Sequence, residues 1–232
     1  MENSVYIVGG GHAGVEAAFA LSRMKIKSII VSMDDSALGR LSCNPAIGGL
    51  AKSQLVKEID ALGGIMGLAA DLNGIQFKTL NKTKGRAVWA TRAQVDKKNY
   101  PRYIKTLINN DKNIMTLEDE VYDIVVKKNK LKGLKLRKTG TIKTSAAIIT
   151  CGTFLNGLIH IGFNNYQAGR MGEKGSYGLT EALIKNGLRS GRLKTGTPPR
   201  ISKKSINLSL CEEAPGDKKP SFFQFLAENL KT

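Results

Sequence analysis

Residues 5–8, Val-Tyr-Ile-Val, form an apolar run short enough to be a strand and unbroken enough to be a buried one. A glycine-rich segment follows, and the apolar positions of 15–24 then recur at helical spacing. A second short apolar run closes the unit at Ile29 to Val31. Strand, helix and strand within thirty residues predict a βαβ unit, and such a unit implies a parallel sheet with helices on its faces. From Ala51 onward, Leu55, Val56, Ile59 and Leu62 predict another helix, with Gly63-Gly64 as its stop.

Residues 73–92 are polar and basic with little periodicity, so no element is predicted there, whereas 95–109 return to a helical pattern. Three short strands are expected at 121–127, 131–137 and 141–144, separated by the turn residues Asn129 and Gly140. They read as an antiparallel meander feeding an apolar strand at 146–150. After Pro198-Pro199 the pattern fades, and Lys203-Lys204, Pro215-Gly216 and Lys218-Lys219-Pro220 mark loop or linker. A short amphipathic piece is expected at 222–230, with aromatic residues that want a partner surface. The expected fold class is α/β, a Rossmann-like domain with a mostly parallel sheet and a β-meander insertion. The domain is expected over 1–200, with 201–232 a linker and the start of an incomplete second domain.

At 232 residues the chain suffices for one full α/β domain and the beginning of another. No stretch has the apolar length of a membrane span and no leader precedes the first strand, which predicts a soluble cytoplasmic protein without membrane attachment. Cys43, Cys151 and Cys211 are odd in number and widely spaced, and only His12 and His160 accompany them, so neither a disulfide framework nor a metal site is expected. Lys plus Arg number 36 against 19 Asp plus Glu, a surplus of 17. Such a surplus suits a polyanion, nucleic acid above all, and it equally suits an ordinary lysine-rich solvated surface.

The chemistry begins at Gly9-Gly10-Gly11-His12-Ala13-Gly14. Its Gly-x-Gly-x-x-Gly spacing lies directly between a predicted strand and a predicted helix, the context in which this pattern binds a dinucleotide. Gly9 permits the tight turn, Gly11 lets backbone approach a pyrophosphate, Gly14 allows close helix-to-strand packing, and the helix N-terminus favours the negative charge. The acidic residue that usually holds a ribose hydroxyl should fall near Ser32. Asp34 and Asp35 lie just beyond and are the alternatives. Ile148-Ile149-Thr150-Cys151-Gly152 resembles the second flavoprotein motif, and paired with the first it favours FAD over NAD. Cys43 precedes the helix N-terminus expected at Ala51, with Lys52 in or near its first turns, a setting that lowers a thiol pKa and suits a nucleophile. A small buried residue is the other reading of the same cysteine. Two basic groups, Arg86, Trp89, Arg92 and Arg189, Arg192, Lys194, Arg200, suit phosphates and unstacked bases.

Three long runs carry a family resemblance. They are Leu41-Ser42-Cys43-Asn44-Pro45-Ala46-Ile47-Gly48-Gly49 with its continuation to Gly64, Gly152-Thr153-Phe154-Leu155-Asn156-Gly157, and Gly191-Arg192-Leu193-Lys194-Thr195-Gly196-Thr197-Pro198-Pro199-Arg200. With His12 in the glycine loop, they resemble the MnmG/GidA family of tRNA-uridine modification enzymes. The sister family of folate-dependent tRNA methyltransferases matches them less well. The resemblance implies FAD on Gly9, Gly10, Gly11, His12, Ala13 and Gly14, with backbone from Val121 toward the adenine and Ser176 beside the cofactor. It implies attack of the Cys43 thiol on the uracil ring, NADH as reductant, a tRNA substrate, an MnmE-type GTPase partner and a homodimer in the full-length family. The chain is expected to lack the remainder of that longer protein and to be incomplete for catalysis alone. A stand-alone flavin oxidoreductase and a non-enzymatic FAD-binding module are the alternatives.

Overall fold

A computed structural model describes residues 4–42, 44–196 and 201–224. Its strands and helices run β1 Val5–Val8, α1 His12–Arg23, β2 Ser28–Ser32, β3 Ala46–Gly48, α2 Lys52–Ala61, α3 Met66–Leu72, β4 Gly74–Leu80, β5 Ala90–Val95 and α4 Asn99–Asn110. They continue with β6 Ile114–Glu118, β7 Val121–Lys127, β8 Lys130–Leu136, β9 Gly140–Lys143, β10 Ala147–Ile149, β11 Leu158–Ile161, β12 Asn164–Gln167 and α5 Leu179–Lys185. No described helix is long and apolar enough to cross a membrane. The described residues divide into two compact units, one from 4–40, 63–65 and 98–190, the other from 41–42, 44–62, 66–97, 191–196 and 201–224. This division interleaves the chain.

The first unit is built on a four-stranded sheet of order β10-β1-β2-β6, parallel at every pairing. Alternation along the strands gives it two buried faces. Tyr6, Val8, Ile29 and Val31 point one way and pack with Val121, Leu134 and Leu136 of the meander and Leu179 of α5. Ile7 and Ile30, both fully buried, turn to the other face. Helix α1 contacts all four strands, burying Gly14, Val15, Ala18 and Ser22 along one stripe. The expected βαβ unit and the expected meander β7-β8-β9 are both present.

The meander is tied down by one carboxylate. Asp119, buried in the link from β6 to β7, accepts the backbone N–H groups of Glu120, Lys138 and Thr139 and the Thr139 hydroxyl, all between 2.7 and 3.0 Å. The β8–β9 turn is thereby held to the end of the parallel sheet.

In the second unit, β5 lies between β3 and β4 in an antiparallel sheet. Strand β4 and the start of β5 fall within the stretch 73–92 for which no element was expected. Strand β4 buries only Phe77, and three of the four buried positions of β5, Ala90, Thr91 and Ala93, are small, so neither strand shows a run of large apolar residues. Val95, expected to begin a helix, ends β5, and α4 starts at Asn99. Helix α2 forms where expected but with a different face inward: Ser53 and Val56 are buried, and Leu55 and Leu62 are exposed. The irregular stretch after 200 is docked on elements of its own unit. The Asp217 amide donates to the Phe77 carbonyl at 2.8 Å, its carboxylate accepts the Thr79 N–H at 2.8 Å and pairs with Lys82 at 2.9 Å. Buried Asp71 accepts the N–H groups of Phe223 and Gln224. Of the amphipathic piece expected at 222–230, residues 225–230 lie outside the described residues.

Burial raises the Asp119 carboxyl, and the donors from Lys138, Thr139 and Glu120 outweigh it, bringing the pKa down to about 2. A carboxylate with a depressed folded pKa stabilises the fold above its unfolded value, roughly 3.9, and that contribution fades as pH falls toward about 2. Asp119→Asn is therefore expected to cost about 1–3 kcal/mol at neutral pH. The difference from the parent should shrink in denaturant melts between about pH 4 and pH 2. A pH-independent difference would contradict this account.

Candidate dinucleotide-binding site

The carboxyl ends of β1, β2, β6 and β10 lie along one edge of the parallel sheet, where open α/β sheets bind ligands. The β1–α1 turn occupies the centre of that edge. Gly9 has φ +113°, a conformation that L side chains rarely adopt, and a β-carbon on it would meet the Thr150 carbonyl oxygen at 2.5 Å. On Gly14 a β-carbon would stand 2.0 Å from the Gly9 carbonyl oxygen and 2.9 Å from Thr150 Oγ1. The Thr150 hydroxyl donates toward the Gly9 and Val8 carbonyls, at 2.9 and 3.1 Å, and so locks the end of β10 to the turn. Gly11 behaves differently. It is the N-cap of α1, and a β-carbon there would have no atom within 4 Å.

Two of the three glycines thus make the turn possible, and the third leaves open space on its ligand-facing side. No side chain caps the first turn of α1, and it holds no acidic residue, so the backbone end of a twelve-residue helix presents its positive pole there. His12 stands at the first helical position with its ring edge-on to Tyr100, 5.8 Å between centroids.

Val121 and Ser176, distant in sequence, are neighbours. The Ser176 hydroxyl hydrogen-bonds Glu120 Oε1 at 3.1 Å, one residue before Val121, and the Ser176 amide donates to the Phe154 carbonyl at 2.9 Å. The loop after β10, the loop containing Ser176 and the start of β7 are therefore joined. Val121 is 2% exposed, so its side chain belongs to the core and only its backbone is available for recognition.

Asp34 and Asp35 both lie beyond the end of β2, and each is already engaged. Asp34 accepts the Ser36 N–H at 2.8 Å and pairs with Arg40 at 3.1 Å, and the Ser36 side chain leads the causes that hold its carboxyl below the usual range. Asp35 pairs with Lys105 at 3.2 Å. Sequence reasoning missed Arg40, which also reaches Glu173 at 2.7 Å, while Arg170 pairs with the same Glu173 oxygen. A pairing across 133 positions leaves no local signature in a sequence.

Cys43, the candidate nucleophile, lies outside the described residues. The helix expected from Ala51 onward starts at Lys52, and β3 Ala46–Gly48 precedes it. Burial pushes the Cys151 thiol up to about 11, which keeps it protonated at neutral pH. Cys211 is exposed on an irregular segment. Of the basic groups, Arg86 and Trp89 are exposed and stacked, the guanidinium 5.6 Å from the ring centroid. Arg92 lies on β5. Arg189 belongs to the first unit, Arg192 and Lys194 to the second, and Arg200 lies outside the described residues.

Gly14→Ala should force the turn and α1 apart, costing about 1–3 kcal/mol. A lowered thermal midpoint checks this, and an unchanged one would mean that the close approach is not tight.

The family model for glucose inhibited division protein A matches residues 4–232. A tRNA uridine 5-carboxymethylaminomethyl modification enzyme MnmG from Sulfurihydrogenibium is 49% identical over 230 residues, covering 98% of this chain and 37% of that protein. The crystal structure of Aquifex aeolicus GidA, form I, superposes with a TM-score of 0.92 at 47% identity, covering 99% of this chain and 38% of that one. A GidA-related protein from Thermus thermophilus, at 17% identity and a TM-score of 0.57, shares the fold. The chain spans a little over a third of the length of the relatives it matches. On a family match that runs through all but its first three residues, the chain belongs to the glucose inhibited division protein A (GidA) family.

Proposed function

We propose that this chain binds FAD through the β1–α1 turn and forms the flavin-binding part of an enzyme that modifies carbon 5 of a tRNA wobble uridine. The observation that carries the reading is the turn itself: closed by backbone contact at Gly9 and Gly14, open at Gly11, and topped by an uncapped helix end. That combination fits a pyrophosphate, whose charge the helix end favours and whose approach any larger residue at Gly11 obstructs. The backbone of Gly10 to Gly14 would hold the diphosphate, with Val121 backbone toward the adenine and Ser176 beside the cofactor.

When bound, FAD supplies redox chemistry that no side chain offers. The rest falls to the protein. Cys43 is proposed as the group that adds to the uracil ring, on the strength of the family resemblance. NADH as reductant, an MnmE-type GTPase partner, a homodimer and a cytoplasmic setting belong to the same proposal, as does the assignment of the chain to one portion of a longer enzyme. The relatives from Sulfurihydrogenibium and Aquifex aeolicus, both tRNA uridine 5-carboxymethylaminomethyl modification enzymes, support the tRNA substrate class.

Incubation with FAD followed by desalting should leave a flavin absorbance band on the protein. Gly11→Ala should reduce retained flavin by about tenfold or more, the factor that corresponds to about 1.4 kcal/mol of lost binding. Its thermal midpoint without FAD should shift by no more than about 1 kcal/mol of stability, because the new methyl meets no protein atom. Equal flavin retention in parent and variant would overturn the assignment. NADH oxidation indifferent to added tRNA would favour a stand-alone oxidoreductase. In any reaction that yields modified uridine, Cys43→Ser should abolish product while flavin retention is unchanged.

A further inference from the structure

The positive charge of this chain is not spread evenly over its fold. From residue 124 to 143 there are seven lysines and one arginine with no aspartate or glutamate, and the next acidic residue is Glu173. The meander's carboxylates sit at its other end and are used there: Asp123 pairs with Lys135, Glu118 with Lys138 and Glu120 with Arg137. Five exposed lysines remain, Lys127, Lys128, Lys130, Lys132 and Lys143, and no carboxylate of the described residues is within ion-pair distance of them.

Their placement is costly for the fold. Lys127 and Lys130 are direct register partners across the hairpin, and like charges facing each other across a strand pair are destabilising. The two turn residues between them, Lys128 and Asn129, have φ of 50° and 60°. Such a turn favours asparagine, aspartate and glycine, so a lysine at its first position adds charge where it is conformationally disfavoured. A solvated surface needs neither feature. An anion bound across the tip would offset both.

We propose that the tip of the β7–β8 hairpin, with Lys143 on the neighbouring strand, is a docking surface for the phosphate backbone of RNA. Lysines in a row serve as point charges for phosphates without reading bases, so the contact would position an RNA and add affinity without sequence preference. A membrane fits less well. The tip, Lys-Lys-Asn-Lys-Leu-Lys, offers no aromatic residue to insert, and its single leucine packs on the core. The identification of that RNA as tRNA rests on the proposed function above, whereas the docking surface rests on the hairpin.

The test is binding of a fluorescent tRNA by the whole chain over about 50–200 mM salt, a range in which phosphate contacts dominate the salt dependence. The quadruple variant K127Q/K128Q/K130Q/K132Q should weaken binding by about tenfold or more. The slope of log K against log salt should fall by roughly 0.9 for each phosphate that the variant no longer neutralises. A variant with the same charge loss elsewhere, K57Q/K112Q/K185Q/K218Q, should lose distinctly less affinity, and flavin retention and thermal midpoint report whether either variant is folded. Equal losses in the two variants, or none in the hairpin variant, overturn the docking surface and leave the flavin reading intact. A parent that retains flavin yet binds no tRNA also overturns it. So does a hairpin variant impaired on phosphatidylserine vesicles but not on tRNA.

Discussion

A β-carbon on Gly14 would stand 2.0 Å from the Gly9 carbonyl oxygen, and much else in the first unit depends on the absence of that β-carbon. A single β-carbon on either residue would collide with backbone. Because the approach is permitted, α1 can start at His12 directly against the sheet, with its N-terminus over the edge where β1, β2, β6 and β10 end. Thr150 reinforces the contact from the fourth strand. The geometry that closes the turn also aims the helix pole, so packing and anion recognition arise from the same glycines.

The meander reads as the support for that edge. Its inner residues pack on the sheet face opposite Ile7 and Ile30, and Asp119 fastens its far turn to the end of β6. This arrangement puts Glu120 and Val121 next to the loop of Ser176. It also projects the β7–β8 tip outward as a lysine-rich hairpin. One insertion therefore carries both a core role and a charged surface, segregated along the length of its strands.

The glycine turn, the first two strands, α1 and the meander were legible in the sequence because each has a strong local signature: an apolar run, a fixed glycine spacing, or strands broken by turn residues. Strand β4 was not, because Phe77 is its one buried position, and β5 was not, because its buried positions at Ala90, Thr91 and Ala93 are small. Helix α2 was legible as a helix, but Leu55 and Leu62 suggested the wrong buried face. Arg40, Glu173 and Arg170 were invisible, since their pairing depends on loops far apart in the chain. The role proposed for Cys43 rests on family resemblance, and residue 43 lies outside the described residues.

The central claim is that a pyrophosphate lies on the amides of the β1–α1 turn. Amide resonances of the isotopically labelled chain, followed during addition of FAD, test it most directly. The largest shifts are expected at Gly10 to Gly14, with smaller ones at Val121 and Ser176. FAD binding that leaves the Gly10 to Gly14 amides unmoved would contradict the account.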